Sequence, residues 1–204
     1  MKKRSGYMKP SSSQQRGVGA VEFALIAIPF FLILFGVMEF ARLLFIWNTV
    51  QEVTRNAARL AVVTDFSDET AKTALRKAAL FNSTSLPAAG EITDSMIVID
   101  YLNETGALTS PLPDDPTDNL AACLDPDRAA SCIRTVEVCI SVAPTGGSAN
   151  EPPPRCATNN LISFSPMLGL FGAGQSDGLL SGIRIPLSSV QMPAESLGFT
   201  PDSL

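Results

Sequence analysis

One glycine and one carboxylate near the N-terminus have the types and the spacing for chemistry on the chain itself. Gly17 follows a basic leader, and Glu22 stands five residues later, just before sixteen uncharged residues that run from Phe23 to Met38. A carboxylate at the edge of such a run costs about a few kcal/mol in a membrane, so it usually has a partner. If the chain is cut between Gly17 and Val18, the new α-amine lies about one helical turn from Glu22, or beside Glu22 of a neighbouring copy. The two charges would neutralise each other and set the stagger between adjacent helices.

The element that positions Glu22 is predicted to be a helix that crosses a membrane once. With the apolar residues 43–47 beyond Arg42, the uncharged run can span about 30 Å of hydrocarbon at about 1.5 Å per residue. A cleaved secretory signal would have a shorter apolar core, whereas this run passes on into Glu39 and Arg42. Apolar positions then recur on one side to about Val63, which predicts one helix of about 45 residues. Its apolar stripe could pack on the C-terminal domain or on neighbouring subunits.

The distribution of charge predicts which side of the membrane each part occupies. The leader has five basic residues and no acid, while positions 18–204 have ten Lys and Arg and all twenty Asp and Glu, a net charge of −10. By the positive-inside rule the N-terminus is cytoplasmic and the C-terminal domain is exported. We therefore predict a leader over 1–17, a transmembrane and assembly helix over 18–47, and an exported domain over 48–204. So acidic a domain argues against a nucleic-acid partner, which requires a basic surface.

The exported part is predicted to be a small α+β domain with a mainly antiparallel sheet. A second helix is expected from Asp68 to Phe81, with Ser67 as its N-cap. Alternating or β-branched segments predict strands over 92–102, 134–143 and 183–192, and Pro186 would confine the last of these to a sheet edge or a bulge. The segment 103–127 is rich in Pro and Asp and is expected to be a loop.

Four cysteines all lie in the part predicted to be exported: Cys123, Cys132, Cys139 and Cys156. An even number of cysteines in an oxidising compartment indicates disulfides, for which three pairings are possible. We favour Cys123 with Cys132 and Cys139 with Cys156; free buried thiols are the alternative. The chain has no histidine and no C-x-x-C pair, which argues against a zinc site. We expect no metal and no cofactor.

Two further motifs could suggest chemistry but lack the residues that it needs. Positions 174–178 match G-x-S-x-G, the nucleophile elbow of α/β-hydrolases, yet no histidine is present to act as the base, so we interpret them as a glycine-rich turn. Five aspartates could suggest calcium, but they do not have EF-hand spacing, and a solvated acidic loop is the simpler interpretation. These are Asp114, Asp115, Asp118, Asp125 and Asp127. No constellation argues for catalysis, and we predict that the protein is not an enzyme.

The N-terminal pattern of basic leader, Gly17, four residues, Glu22 and Phe23 resembles the class III signal of type IV prepilins and pseudopilins. Three blocks together resemble the TadE-like family, minor pseudopilins of the Tad (Flp-type) pilus assembly system. The first is GAVEFALIAIPFFLILFGVMEFAR, which ends at Arg42 and includes a second glutamate, Glu39. The second is NAARLA at 56–61, and the third is IPLSSVQMPAESLGFTP at 185–201. They cover about 65 residues at the two ends of the chain, and the first is the diagnostic one.

The resemblance implies a processing event and an assembly role. A prepilin peptidase would cut between Gly17 and Val18, with Gly17 preferred to Gly19, and Glu22 with Phe23 would guide registration or recruitment. The implied location is the bacterial inner membrane, crossed once, with a periplasmic domain stabilised by the cysteines. The implied partners are the peptidase, other pseudopilins, the major Flp-type pilin and the inner-membrane assembly platform. The alternative is an uncleaved, membrane-anchored periplasmic binding or adhesion module.

Overall fold

The computed structural model describes residues 16–142, 156, 161–167 and 183–199. The chain divides into two compact units, Met1–Ala41 and Arg42–Leu204. Several segments discussed above lie outside the described residues: most of the leader, the predicted loop at 144–154, the G-x-S-x-G segment at 174–178, and the last residues of the third resemblance block.

The first helix, α1, runs from Arg16 to Ala61 and includes Pro29 without interruption. Its length of 46 residues confirms the prediction of one long helix. From residue 42 onward it buries a stripe in the core of the second unit, at spacings of three and four residues. The stripe comprises Leu43, Ile46, Val50, Val53, Ala57, Ala58 and Ala61. This half of the apolar stripe therefore packs on the C-terminal domain.

The second helix, α2, extends over Glu69–Ala79 and is capped by Asp68, not by Ser67 as the sequence suggested. The Asp68 carboxylate accepts hydrogen bonds from the backbone N–H of Thr70 and Ala71. Ser67 is one residue too early because its hydroxyl and its N–H both donate to Asp65 in the preceding turn. Helix α2 buries Leu75 and Ala79.

The domain contains two antiparallel sheets in its described part. The smaller pairs β1, Ser85–Leu86, with β2, Ala89–Thr93. The larger has the order β3-β4-β5, with β3 at Ile97–Leu102, β4 at Thr135–Ile140 and β5 at Ser189–Pro193. In the central strand β4, Val136 and Val138 are fully buried and Thr135 and Glu137 are half-buried, as the alternation predicted, whereas Cys139 and Ile140 at the end of the strand are both buried. The predicted α+β class with an antiparallel sheet is confirmed.

The sequence placed two strand boundaries wrongly. The predicted strand 92–102 is two strands, because the 3-10 turn Asp94–Met96 separates β2 from β3 and sends them into different sheets. The last strand starts at Ser189 and not at 183, after Pro186, whose ring removes a backbone donor. Within the described residues β5 is at the edge of its sheet, as Pro186 suggested.

The segment expected to be a loop contains a third helix, α3, at Pro116–Leu124, followed by a 3-10 turn at Pro126–Ser131. Asp115 caps α3 by accepting from the N–H of Asp118 at 2.7 Å, and Pro116 occupies the first turn, where a missing N–H costs nothing. The disulfide Cys123–Cys132 joins the end of α3 to the residues before β4, and Cys139–Cys156 joins β4 to a later segment. These are the two pairs favoured from the sequence.

Residues 195–198 pack against the chain just after the end of α1. The backbone N–H groups of Glu195 and Leu197 both donate to the carbonyl of Val62, and Leu197 is buried. Gly198 has a φ of +87° and lies against the backbone of Asp65: a Cβ there would be 2.6 Å from the Asp65 Cα. Only glycine fits this close approach.

Candidate functional site

The N-terminal part of α1 has an apolar surface on every side. The helix is long and apolar enough to cross a membrane. Large side chains at successive positions are exposed, and Phe23 is 73% exposed. Because consecutive helix positions point about 100° apart, no polar stripe remains for water. Such a surface is suited to lipid or to other apolar helices, and it suggests that the chain is anchored in a membrane.

Glu22 and Phe23 both lie exposed on this surface, one and two residues after Val21. No ion pair of Glu22 with another described residue occurs. On a continuous helix Val18 and Glu22 are four residues apart, which is about 6 Å along the axis and on the same face. The backbone thus brings the predicted new amine and the Glu22 carboxylate within one turn of each other.

Packing among the described residues does not require a glycine at Gly17 or Gly19, the two candidate positions for the cut. A Cβ at Gly17 or at Gly19 would have no atom within 4 Å outside the local helix. Glycine in a helix is less favourable than alanine by about 1 kcal/mol, so intramolecular stability does not explain it here. A requirement for glycine at either position would have to come from a partner.

Arg42 is the residue that holds the domain loops against α1, and its role was missed in the sequence. Its Nε donates to the carbonyl of Ala88 at 2.8 Å, and one terminal nitrogen donates to the carbonyl of Ser165 at 2.7 Å. The guanidinium lies 5.1 Å from the ring centroid of Phe164 and 3.5 Å from a Glu91 oxygen. The geometry of the Glu91 contact is that of an ion pair without a hydrogen bond. The only signal for Arg42 in the sequence is a basic residue a few positions after a long apolar run.

The aspartates around α3 have structural roles that the sequence analysis did not assign. Asp115 caps α3, and Asp125 caps the 3-10 turn that follows it. Asp118 accepts a hydrogen bond from the Arg128 guanidinium at 2.9 Å. That hydrogen bond, with a second from the Asp114 N–H, holds the pKa of the Asp118 carboxyl below its usual value. Caps and an ion pair thus account for three of the five acids.

One further acidic group is close enough to suggest a metal, but its chemistry does not fit. Ligand atoms of Asp100, Glu137 and Cys156 lie within 4.8 Å of one another. The Cys156 sulfur is bonded to Cys139, so it cannot act as a thiolate ligand. The Asp100 carboxylate accepts a hydrogen bond from the Cys156 N–H, which gives it a structural role beside the disulfide.

Tyr101 is a buried titratable group in the core of the domain. Its ring centroid lies 5.7 Å from that of Phe66. Burial raises the pKa of its hydroxyl well above the usual value, against a smaller opposing effect of Arg76. Tyr101 is therefore neutral at physiological pH and contributes packing.

Residues 17–59 match the model of the family described as TadE-like protein. The match covers the membrane-spanning candidate, Gly17, Glu22, Arg42 and most of the helix that packs on the domain. A search of the curated proteins and a search of the solved structures each found no match. The match is confined to α1 and therefore shows what this helix is similar to.

Proposed function

Because the N-terminal helix of this chain is TadE-like, we propose that the protein is a minor pseudopilin-like structural component that supports assembly of a Tad, or Flp-type, pilus. The observation that carries the proposal is that the two parts of α1 have different surfaces. Its first part exposes apolar side chains on all sides, and its second part buries a stripe in the domain. A helix of this kind can engage neighbouring helices with one end while it displays a domain on the other.

Processing is the first step of the proposed function. A prepilin peptidase would hydrolyse the Gly17–Val18 peptide bond and release the basic leader. The open space at Gly17 supports this reading, because nothing else in the described chain needs a glycine there. The new terminus would have a positively charged amine in the same turn as Glu22.

Pairing of that amine with Glu22 is the proposed assembly chemistry. In a hydrocarbon environment an isolated carboxylate is unfavourable, so Glu22 would seek the amine of its own chain or of an adjacent subunit. An intermolecular pair would fix the axial stagger of two helices, and the adjacent Phe23 would pack against the neighbour. Other pseudopilins and the major Flp-type pilin are the proposed neighbours, with the inner-membrane assembly platform as the place of assembly.

The proposed topology is based on the distribution of charge along the chain. The leader would remain in the cytoplasm, the helix would cross the bacterial inner membrane once, and the acidic domain would fold in the periplasm. Two disulfides support an oxidising location for that domain. The domain is far larger than a small major Flp-type pilin, so it is not suited to be the bulk subunit of the fibre. Its size favours a minor, tip or scaffold role. The proposed organisation is leader 1–17, assembly helix 18–47 and periplasmic domain 48–204.

The test compares two acidic residues of one helix. Glu22→Ala is expected to abolish pili while the protein remains in the membrane at normal abundance. Glu52→Ala, an exposed acid on the domain half of α1, is the matched control and should leave pili unchanged. Pili are counted by electron microscopy and the protein by immunoblot of membranes. Normal pili with Glu22→Ala would favour an uncleaved, anchored binding or adhesion module instead.

A further inference from the structure

The part of the domain that lies beside Arg42 has no charged residue of its own. Arg42 donates to the carbonyl of Ala88 at 2.8 Å and to that of Ser165 at 2.7 Å, so two segments that are distant in sequence meet there. We call these two segments the base of the domain: residues 86–90, LPAAG, and residues 161–167, LISFSPM. Neither contains Asp, Glu, Lys or Arg. Two charged groups that border the base, Arg42 and Glu91, lie 3.5 Å apart and offset each other.

The largest exposed side chains of the base are apolar. Met167 is 76% exposed. Pro87 and Ala88 are also exposed, and they form the two-residue turn between β1 and β2, in which Ala88 has a φ of +63°. Gly or Asn usually occupies such a position in a turn that faces water. Ser163 and Ser165 are the exposed polar residues of the base, and both are small and uncharged.

The spacing of charges along α1 places the base at one face of a bilayer. Glu22 and Arg42 are separated by 20 positions of one continuous helix, which is about 30 Å along the axis at about 1.5 Å per residue. The hydrocarbon core of a bilayer is also about 30 Å thick. With Glu22 at one edge of the hydrocarbon, Arg42 therefore lies at the other edge, and so does the base to which it is bonded.

The opposite end of the domain is acidic. It lies beside Val62, whose carbonyl accepts from the N–H of Glu195, about 30 Å farther along α1 than Arg42. Helix α3 is attached at this end through Arg134, which hydrogen-bonds to Cys123 and to Ala194. The five aspartates between 114 and 127 lie on α3 and beside it. Carboxylates are unfavourable near hydrocarbon, so only the base is suited to contact lipid.

We propose that the base of the domain inserts into the lipid interface of the membrane that α1 crosses. Met167 and the turn at Pro87 and Ala88 enter the upper part of the acyl chains, where their apolar surface is removed from water. The partner is thus the phospholipid surface itself. The proposal rests on the membrane anchoring of α1 and is independent of processing and of pilus assembly.

The experiment uses methionine methyl groups as reporters, because the chain has six methionines and one of them is in the base. The full-length protein is placed in phospholipid nanodiscs and its methyl signals are recorded by NMR, with Met167→Leu to assign the signal of Met167. Lipid that carries a nitroxide near the top of its acyl chain should remove most of the intensity of the Met167 methyl signal. Met38, exposed in the uncharged run, is the positive reference for insertion of α1.

Leu124→Met supplies the matched control at the acidic end. Leu124 is the last residue of α3 and is 78% exposed, close to the value of Met167, and an exposed Leu-to-Met change is well tolerated. The methyl signal that this substitution adds should keep its intensity with the nitroxide lipid. A water-soluble gadolinium chelate should give the reverse result: it should broaden the added signal and leave that of Met167 largely unchanged.

The two reagents together decide the proposal. A Met167 signal that survives the nitroxide lipid and is broadened by the chelate would show a base in water, which overturns it. Loss of the signal with both reagents would place the base above the headgroups without insertion, and loss with neither would mean that another protein surface covers it; each result also overturns the proposal. If the Met38 signal survives the nitroxide lipid as well, α1 does not cross the bilayer, and the proposed topology fails together with this inference.

Discussion

Replacement of Arg42 by methionine should destabilise the domain strongly, because its guanidinium joins α1 to two separate loops. The side chain is only 14% exposed, and it donates to the carbonyls of Ala88 and Ser165 at 2.8 and 2.7 Å. Each hydrogen bond from a charged donor contributes about 1.5–3 kcal/mol, and the contact with the Phe164 ring adds about 0.5–1 kcal/mol. Glu91 is a quarter exposed, so the loss of its ion pair adds little.

The expected decrease in the free energy of unfolding is therefore about 3–5 kcal/mol, given that methionine keeps part of the aliphatic packing. For a chain of this size that corresponds to a fall in Tm of roughly 10 °C. The Tm of Arg42→Lys should lie between that of the wild type and that of Arg42→Met. An ammonium keeps the charge, but it cannot bridge both carbonyls in the same geometry.

The assay is thermal unfolding of the full chain in detergent, followed by circular dichroism. Arg59→Met is the control, because Arg59 is exposed on the same helix and its replacement should change the stability by less than about 0.5 kcal/mol. If Arg42→Met and Arg59→Met unfold within about 1 °C of each other, the reasoning from the Arg42 contacts is refuted.

Three other predictions concern the domain. Gly198→Ala should cost about 2–4 kcal/mol, because φ is positive and the new Cβ would overlap the Asp65 backbone; an unchanged midpoint of denaturant unfolding would contradict this. Asp68→Ala should cost about 1 kcal/mol by removing the N-cap of α2, measured in the same way, and equal stability would mean that the cap contributes nothing. Asp118 should titrate below the usual aspartate range by NMR, and Arg128→Gln should raise the pKa of Asp118. Because the pKa of Asp118 is lower in the folded than in the unfolded chain, its contribution to stability is present at neutral pH and is lost as the pH falls through the folded-state pKa. An unchanged Asp118 titration in Arg128→Gln would contradict the assigned cause.

The features that the sequence predicted well depend on long, regular patterns. The apolar run and the one-sided stripe after it both follow helical periodicity, so the length of α1 and the face that it buries could be read directly. Strand β4 alternates from Thr135 to Val138, and its register with β3 places Val138 opposite Ile99. In these elements local pattern and tertiary burial agree.

The errors occurred where short signals compete or where contacts are distant in sequence. Helix α3 has only nine residues, and the same Asp and Pro residues that suggested a loop are its cap and first turn. The 3-10 turn inside the predicted strand 92–102 has no Gly or Pro, and its turn-favouring Asp94 and Ser95 are too short a signal to outweigh the β-branched residues around them. Arg42 contacts residues 46 and 123 positions away, a pairing that no local pattern encodes.

For the candidate site, the sequence supplied the residues and the helix supplied their spacing. Gly17 could be identified because it ends the basic leader. Glu22 could be identified because it is a lone carboxylate at the edge of an apolar run.

The intact mass and the N-terminal residue of the membrane-extracted protein test the proposed cleavage after Gly17. Gly17→Ala and Gly19→Ala are a matched pair, because both positions are sterically open in the chain. We predict a chain that begins at Val18 in the wild type and in Gly19→Ala, and only in cells that have the prepilin peptidase. Gly17→Ala should retain the leader. A wild-type chain that still carries Lys2 to Gly17 in the presence of the peptidase would show that this protein is not processed as a pseudopilin.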